Sequence, residues 1–422
     1  MTATEHERDP FWQTAVLADL DRFAALPDWL LAATRPAAVA PALAQAIPEC
    51  ARGDMAVAAC KIGGLRLSAD GRGWTGAYRL TLDTPATGEQ TAIELPGRLF
   101  PPGHGDLYPV TPIVAFGAAG WHCTIPELRI ELAVPLPDRL PVLRQLASSA
   151  EARTLLEHSL HASDPQYRDV RIAACQPEIL RHHPGLRATL RYYLRYSDDP
   201  PGDAGWPTTL IAKTYDDEKG RHAYDGMCAL WRSPLAKDER VRIAEPIAYL
   251  PDLKLLIQGP IPEEQTLTDL LATALRTQDP ATLAELDTAL RKTAMALAAL
   301  HQAEIATDRA YGWIDELAEV RAFTDRLATA VPALARAATP LLATLDVYAA
   351  ITTPDPPVFA HGTFRPNQVL LHGGRVGLID FDSWCSAEPA VDLALFLTSI
   401  RDIGLSAIRK AAGSPDPTTT DE

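Results

Sequence analysis

Residues 358–384 read VFAHGTFRPNQVLLHGGRVGLIDFDSW, and the run VGLIDFD is the part most suggestive of chemistry. An apolar strand ending at Asp380 would carry a carboxylate to a polar edge, with Asp382 two residues on. Hard oxygen ligands of this kind suit Mg²⁺. A plainer reading competes, since aspartates also terminate strands in turns. Earlier in the stretch stand His361, Gly362 and Thr363, and then Gln368. Far upstream, LIAKTY sets Lys213 in a short apolar run. Its neighbours would bury the strand while the ammonium reaches a phosphate, although alternating strands also expose lysines that have no task.

The whole chain bounds what such groups could serve. At 422 residues and 45.7 kDa it has room for two or three domains. The formal net charge of -15 argues against nucleic acid or an anionic membrane as partner. An anionic substrate would therefore need a local basic pocket or a metal. Cys50, Cys60, Cys123, Cys175, Cys228 and Cys385 include no C-x-x-C pair, so neither a zinc ribbon nor a disulfide framework is expected. A reducing cytoplasm is the expected location. The acidic start MTATEHERDPFWQTAV lacks the pattern of a signal peptide. No membrane-spanning run of about 18 apolar residues is expected.

The elements that must position the candidate groups follow from periodicity. Residues 10–50 carry Ala and Leu at helical spacing, and from 57 the pattern turns strand-like in WTGAYRLTLD and LRIELAVPL. Helical spacing returns in LPVLRQLASSAEARTLLEHSL, ending near 160. Two or three strands with a Pro184-Gly185 turn come next, then the Lys213 strand and a helix over GRHAYDGMCALWRSP. A further strand, in LKLLIQGPIP, breaks at Gly259-Pro260. From 264 the chain is predicted to be overwhelmingly helical. Leu283, Leu286, Leu290, Ala294, Leu297 and Leu300 form a core-facing stripe there. The Pro- and Thr-rich tail 411–422 is expected to be disordered. VAACKIGGLR and IAACQPEILR align without gaps at an offset of 115, Cys60 on Cys175, which also pairs Tyr78 with Tyr193 and Arg98 with Lys213. A degenerate repeat would explain this, and so would two unrelated meanders.

A lysine-bearing strand, a helix, a strand with a Gly-Pro break, and a helical half holding H-G-x(5)-Q and I-D-F-D form a familiar order. It resembles the aminoglycoside phosphotransferase and choline kinase-like superfamily, over roughly residues 165–400. The resemblance implies an α+β, two-lobed protein-kinase-like fold. The β-rich N-lobe would span 161–262 and the helical C-lobe 263–410, after an α/β N-terminal cap region over 1–160. It implies ATP and Mg²⁺ as cofactors and phosphoryl transfer to a hydroxyl of a small molecule. Lys213 would hold the nucleotide phosphates, with Asp225 or the less well placed Glu218 as its acidic partner. Gln258 and Gly259 would border the nucleotide. Asp380 and Gln368 would hold the metal, and Asp392 would brace the catalytic loop marked by His361 and Thr363.

At Thr363 the chain departs from the family, which carries an aspartate there to accept or orient the proton of the attacking hydroxyl. A threonine hydroxyl is no base near neutral pH. Asp382 acting through a water, or a base on the substrate, could compensate. Only thirty residues follow Asp392, where relatives continue with several helices. The acceptor pocket is therefore expected to be truncated, built by the N-terminal 160 residues, or supplied by another chain. The alternative to an active enzyme is a catalytically impaired pseudokinase, acting as a nucleotide-binding or protein-interaction module. A pure scaffold is a third class, because fold alone confers no function.

Overall fold

A computed structural model describes residues 27–68, 73–103, 114–134, 141–183, 187–198, 205–307 and 309–411. The helix expected before residue 27, the Pro184-Gly185 turn and the tail from 412 lie outside the described residues. The chain divides between Pro137 and Asp138 into two compact units, with Trp313–Thr353 grouped with the first.

In the first unit, α1 (Asp28–Thr34), α2 (Pro36–Ala46) and α3 (Pro48–Ala51) precede an antiparallel sheet. Pro36 and Pro48 open their helices, where the fixed φ helps and the missing N–H has no partner to lose. The strands are β1 (Ala56–Leu67), β2 (Trp74–Thr84), β3 (Glu89–Leu99), β4 (His122–Ile125) and β5 (Ile130–Ala133), in the order β1-β2-β3-β5-β4. Leu30, Leu43, Tyr78, Leu95 and Trp121 fill the core beneath α1 and α2.

The second unit opens with α4 (Pro141–Leu146) and α5 (Ser149–Ser163), followed by β6 (Ile172–His183), β7 (Arg187–Tyr196) and β8 (Thr209–Tyr215). The cap boundary expected at 160 is thus displaced to 137. The reason is packing: α5 lies on β6, and Glu157 accepts from the Ile172 N–H at 2.7 Å. After α6 (Lys219–Arg232) come β9 (Arg242–Ile243), β10 (Pro246–Leu250) and β11 (Leu255–Gln258).

The sheet order β6-β7-β8-β11-β10 is that of the first unit. Cys60 faces Leu80 as Cys175 faces Leu194, and both first strands bulge three residues before the cysteine pair, at Val57/Ala59 and Ile172/Ala174. Pro126–Leu128 and Pro251–Leu253 are both 3₁₀ turns, each ended by a left-handed residue, Arg129 or Lys254. By register Tyr78 corresponds to Tyr192, not Tyr193. Each hydroxyl donates to a helical carbonyl at 3.0 Å, of Ala33 and Leu146 respectively.

The remainder is less helical than its composition predicts. β12 (Gln265–Thr266) leads into α7 (Leu267–Thr277), fixed by a capping box between Thr266 and Asp269. On α8 (Pro280–His301) the buried face is Ala289, Thr293, Ala296, Leu297 and Leu300, while Leu283 and Ala294 of the expected stripe are exposed. The pair α9 (Trp313–Ala330) and α10 (Pro332–Ile351) pack on each other and share the Arg321–Asp346 ion pair. Contrary to expectation, α10 is long and apolar enough to cross a membrane by length and composition. Four further strands then frame the candidate site: β13 (Val358–Ala360), β14 (Val369–His372), β15 (Arg375–Leu378) and β16 (Cys385–Ala387). The last helix is α11 (Pro389–Ala411). β15 pairs in parallel with β9, which ties the strand before Asp380 to the β-rich half of this unit.

Candidate active site

β13 delivers the chain to His361, which is fully buried. Asp392, at the start of α11 and also fully buried, accepts from the His361 N–H at 2.8 Å and the Gly362 N–H at 2.9 Å. His301 Nε2 lies 2.9 Å from the same carboxylate. The His361 ring is turned away from chemistry. Its Nε2 stands 2.9 Å from the Ile379 carbonyl, which can only accept, so this nitrogen carries the proton and staples the loop to the approach to Asp380. Gly362 has φ +81°, and a Cβ there would sit 2.0 Å from the Ser383 carbonyl oxygen. No side chain fits.

Asp380 follows β15 in a left-handed conformation, φ +74°. Lys213 on β8 meets it, Nζ to Oδ1, at 2.6 Å. The lysine's charge, acting against burial, holds the Asp380 carboxyl well below the usual carboxylate range. Burial opposes the Lys213 ammonium, but Asp380 and Asp382 outweigh it and its pKa is raised. Asp382 goes the other way: burial pushes it up, partly offset by Lys213 and reinforced by Asp380. Its Oδ1 accepts from the Tyr215 hydroxyl at 2.9 Å.

Gln368 is oriented by the backbone of its own loop. The Arg365 backbone N–H donates to Gln368 Oε1 at 2.9 Å, which turns the amide nitrogen toward Asp380 Oδ2 at 3.4 Å and Thr363 Oγ1 at 3.5 Å. The amide therefore donates to the carboxylate, and its oxygen is already engaged. The adjacent Asn367 is a different matter, because its Oδ1 is buried with no hydrogen-bond partner. Asn367, Lys213, Asp380 and Asp382 all line one cavity of about 240 Å³. Sequence reasoning passed over both Asn367 and Tyr215; the signal for Tyr215 was its place two residues beyond Lys213, on the same face of β8.

Asp225, Glu218, Gln258 and Gly259 lie apart from this cavity. Asp225 is exposed on α6 and makes no ion pair with Lys213. Glu218 accepts instead from the Tyr249 hydroxyl at 3.2 Å. The inward face of α6 offers His222, stacked on Trp384 at 4.8 Å, and Gly226, where a Cβ would strike the same indole. Asp380 is thus the acidic partner that Lys213 finds. Gln258 is buried at the end of β11, and the Gly259 N–H donates to the Glu245 carbonyl at 2.8 Å. Neither lines the cavity.

Residues 224–421 match the phosphotransferase enzyme family. Solved structures with similar folds include a thermostable mutant of aminoglycoside phosphotransferase APH(4)-Ia in ternary complex with ADP and hygromycin B. It is 13% identical, with 62% of this chain and 82% of that one covered and a TM-score of 0.40. A choline/ethanolamine kinase family protein from Mesorhizobium loti is 13% identical, over 62% and 76% of the two chains, at 0.38. Choline kinase from Cryptosporidium parvum is 10% identical, over 64% and 82%, at 0.39. No curated protein matches the chain. Over residues 224–421, just under half of its length, the chain is therefore similar to the phosphotransferase enzyme family.

Proposed function

We propose that this protein transfers the γ-phosphoryl group of ATP to a hydroxyl of a small molecule, using Mg²⁺. The observation that carries this reading is the Lys213–Asp380 pair, a phosphate-binding cation and a metal-binding carboxylate 2.6 Å apart on one cavity wall. The donor set suits the ion. Among the described residues no three His, Cys, Asp or Glu side chains gather as a metal cluster. Yet Asp380 and the partnerless Asn367 Oδ1 bring two side chains with hard oxygens to the same cavity. These residues would hold Mg²⁺, which when bound neutralises phosphate charge. Lys213 then binds phosphate oxygens, and Gln368 holds Asp380 in orientation.

Proton transfer is the weak part. Thr363 can hydrogen-bond an acceptor hydroxyl but cannot deprotonate it. Asp382, pushed up by burial, is the better base on this cavity. A second reading, a nucleotide-binding module without turnover, is favoured by Thr363 and by the engaged oxygen of Gln368. We read the first unit as a degenerate copy of the β-rich lobe, on the shared strand order and bulge. We place the chain in a reducing cytoplasm, on six free cysteines.

Thermal shift with millimolar Mg-ATP tests both readings, since a ligand that binds only the native state raises its melting temperature. A shift in wild type that Asp380→Ala abolishes supports nucleotide binding; no shift overturns both. Phosphorylation of any member of a panel of hydroxylated small molecules then separates enzyme from binding module.

A further inference from the structure

We propose that the β6–β7 strand pair carries the polyphosphate end of the site, with Arg187 and Arg181 as its anion-binding groups in place of a glycine-rich loop. The inference rests on the nucleotide reading above and specifies how that site holds its charge.

Register places the groups. Arg187 lies opposite Tyr215, and Thr189 lies opposite Lys213. On the other side of β7, Arg181 lies opposite Thr189. Directly opposed residues project from the same face of a sheet. Arg181, Thr189 and Lys213 therefore form one row across three strands, and Arg187 with Tyr215 the next. All five line the cavity that holds Asp380 and Asp382.

The placement of Arg181 depends on a local irregularity. The pairing of β6 with β7 shifts between Ile179 and Arg181. Continued without the shift, the register would set Arg181 opposite Ala188, whose side chain belongs to the buried core. One extra residue, Leu180, moves Arg181 into the row of Lys213. Bulges beside sites commonly re-aim a side chain in this way.

Charge gives the arrangement its chemistry. Lys213 is matched by Asp380, but neither Arg181 nor Arg187 forms an ion pair among the described residues. In a chain of net charge -15, Lys213, Arg181 and Arg187 set against Asp380 and Asp382 leave this cavity wall with one positive charge in excess. A guanidinium fork fits phosphate oxygens two at a time. The hairpin sequence LRHHPGLRATL holds the single glycine Gly185, so a run of glycine-lined backbone amides is not at hand to serve instead.

The test is calorimetric titration of the full chain with Mg-ATP, AMP and inorganic triphosphate, for wild type, Arg187→Gln, Arg181→Gln and the double variant. Both side chains are exposed, so the variants should melt as wild type does. ATP affinity should fall about tenfold for each arginine removed, AMP affinity should stay within about twofold, and triphosphate binding should disappear in the double variant. Unchanged ATP and triphosphate affinity in the double variant overturns this inference while leaving the nucleotide reading intact. Wild type that captures triphosphate through the two arginines but binds no ATP overturns the nucleotide reading and keeps the anion site. An equal loss of ATP and AMP affinity overturns the inference as well, because it assigns the arginines to the nucleoside.

Discussion

Lys213 and Asp380 are 167 residues apart in the chain, and their side chains meet at 2.6 Å. One stands on a strand of the β-rich half of the second unit and the other follows a short strand of the helical half, so the contact joins the two halves at the cavity. Removing the lysine strands a half-buried carboxylate. Lys213→Met should destabilise the protein by about 1–3 kcal/mol in urea unfolding, discounted from a fully buried pair because Asp380 keeps some exposure. Lys213→Met combined with Asp380→Asn should cost less than the two single variants together. Strict additivity would show that the pair does not interact.

Asp380 and Asp382 should have opposite effects on stability as pH changes. The lowered pKa of Asp380 contributes stability above its unfolded value of about 4, and this is lost as pH falls through the folded value. The raised pKa of Asp382 contributes stability that is full below about pH 4 and lost as pH rises through the folded value. Asp382→Asn, which can still accept from Tyr215, should therefore melt higher than wild type at pH 7–8 and match it below about pH 4. Asp380→Asn should melt lower at pH 7. Thermal melts across pH check both signs.

Thr363→Asp restores a carboxylate where Gln368 Nε2 already points, 3.5 Å from the present hydroxyl. If the rest of the site is complete, turnover of ATP with an acceptor should rise about 10²-fold or more, with KM for ATP little changed. Thr363→Val, which removes the hydroxyl alone, should leave slow turnover close to wild type. A Thr363→Asp variant no faster than Thr363→Val would argue for the binding-module reading.

Gly362 should tolerate nothing larger. Gly362→Ala forces an alanine to φ +81° and drives its Cβ onto the Ser383 carbonyl. We expect a loss of about 2 kcal/mol or more in unfolding free energy, with Mg-ATP binding weakened because the loop braced by Asp392 is displaced. By contrast, Gly373→Ala, at φ +53° with open space around it, should cost less than Gly362→Ala.

Much of this was legible in the sequence because it is local. The apolar run before Asp380, the apolar flanks of Lys213 and the glycine after His361 each state a requirement of their own few residues, and the order of elements along the chain does the rest. The two sheets share one strand order, and register pairs Tyr78 with Tyr192 where the offset of 115 pairs it with Tyr193. What the sequence could not settle was which groups meet. The rotation of α6 turned Asp225 to solvent and set His222 and Gly226 against Trp384. One backbone N–H, that of Arg365, decided which end of the Gln368 amide faces Asp380 and left the unpartnered oxygen to Asn367. A single shift of register placed Arg181 in the cross-strand row of Lys213, with Thr189 between them, rather than over the core. Sequence by itself determined the kinds of group available and the local geometry that presents them. Tertiary structure decided the pairings, because a helix rotation or a one-residue shift changes every partner without altering the local pattern.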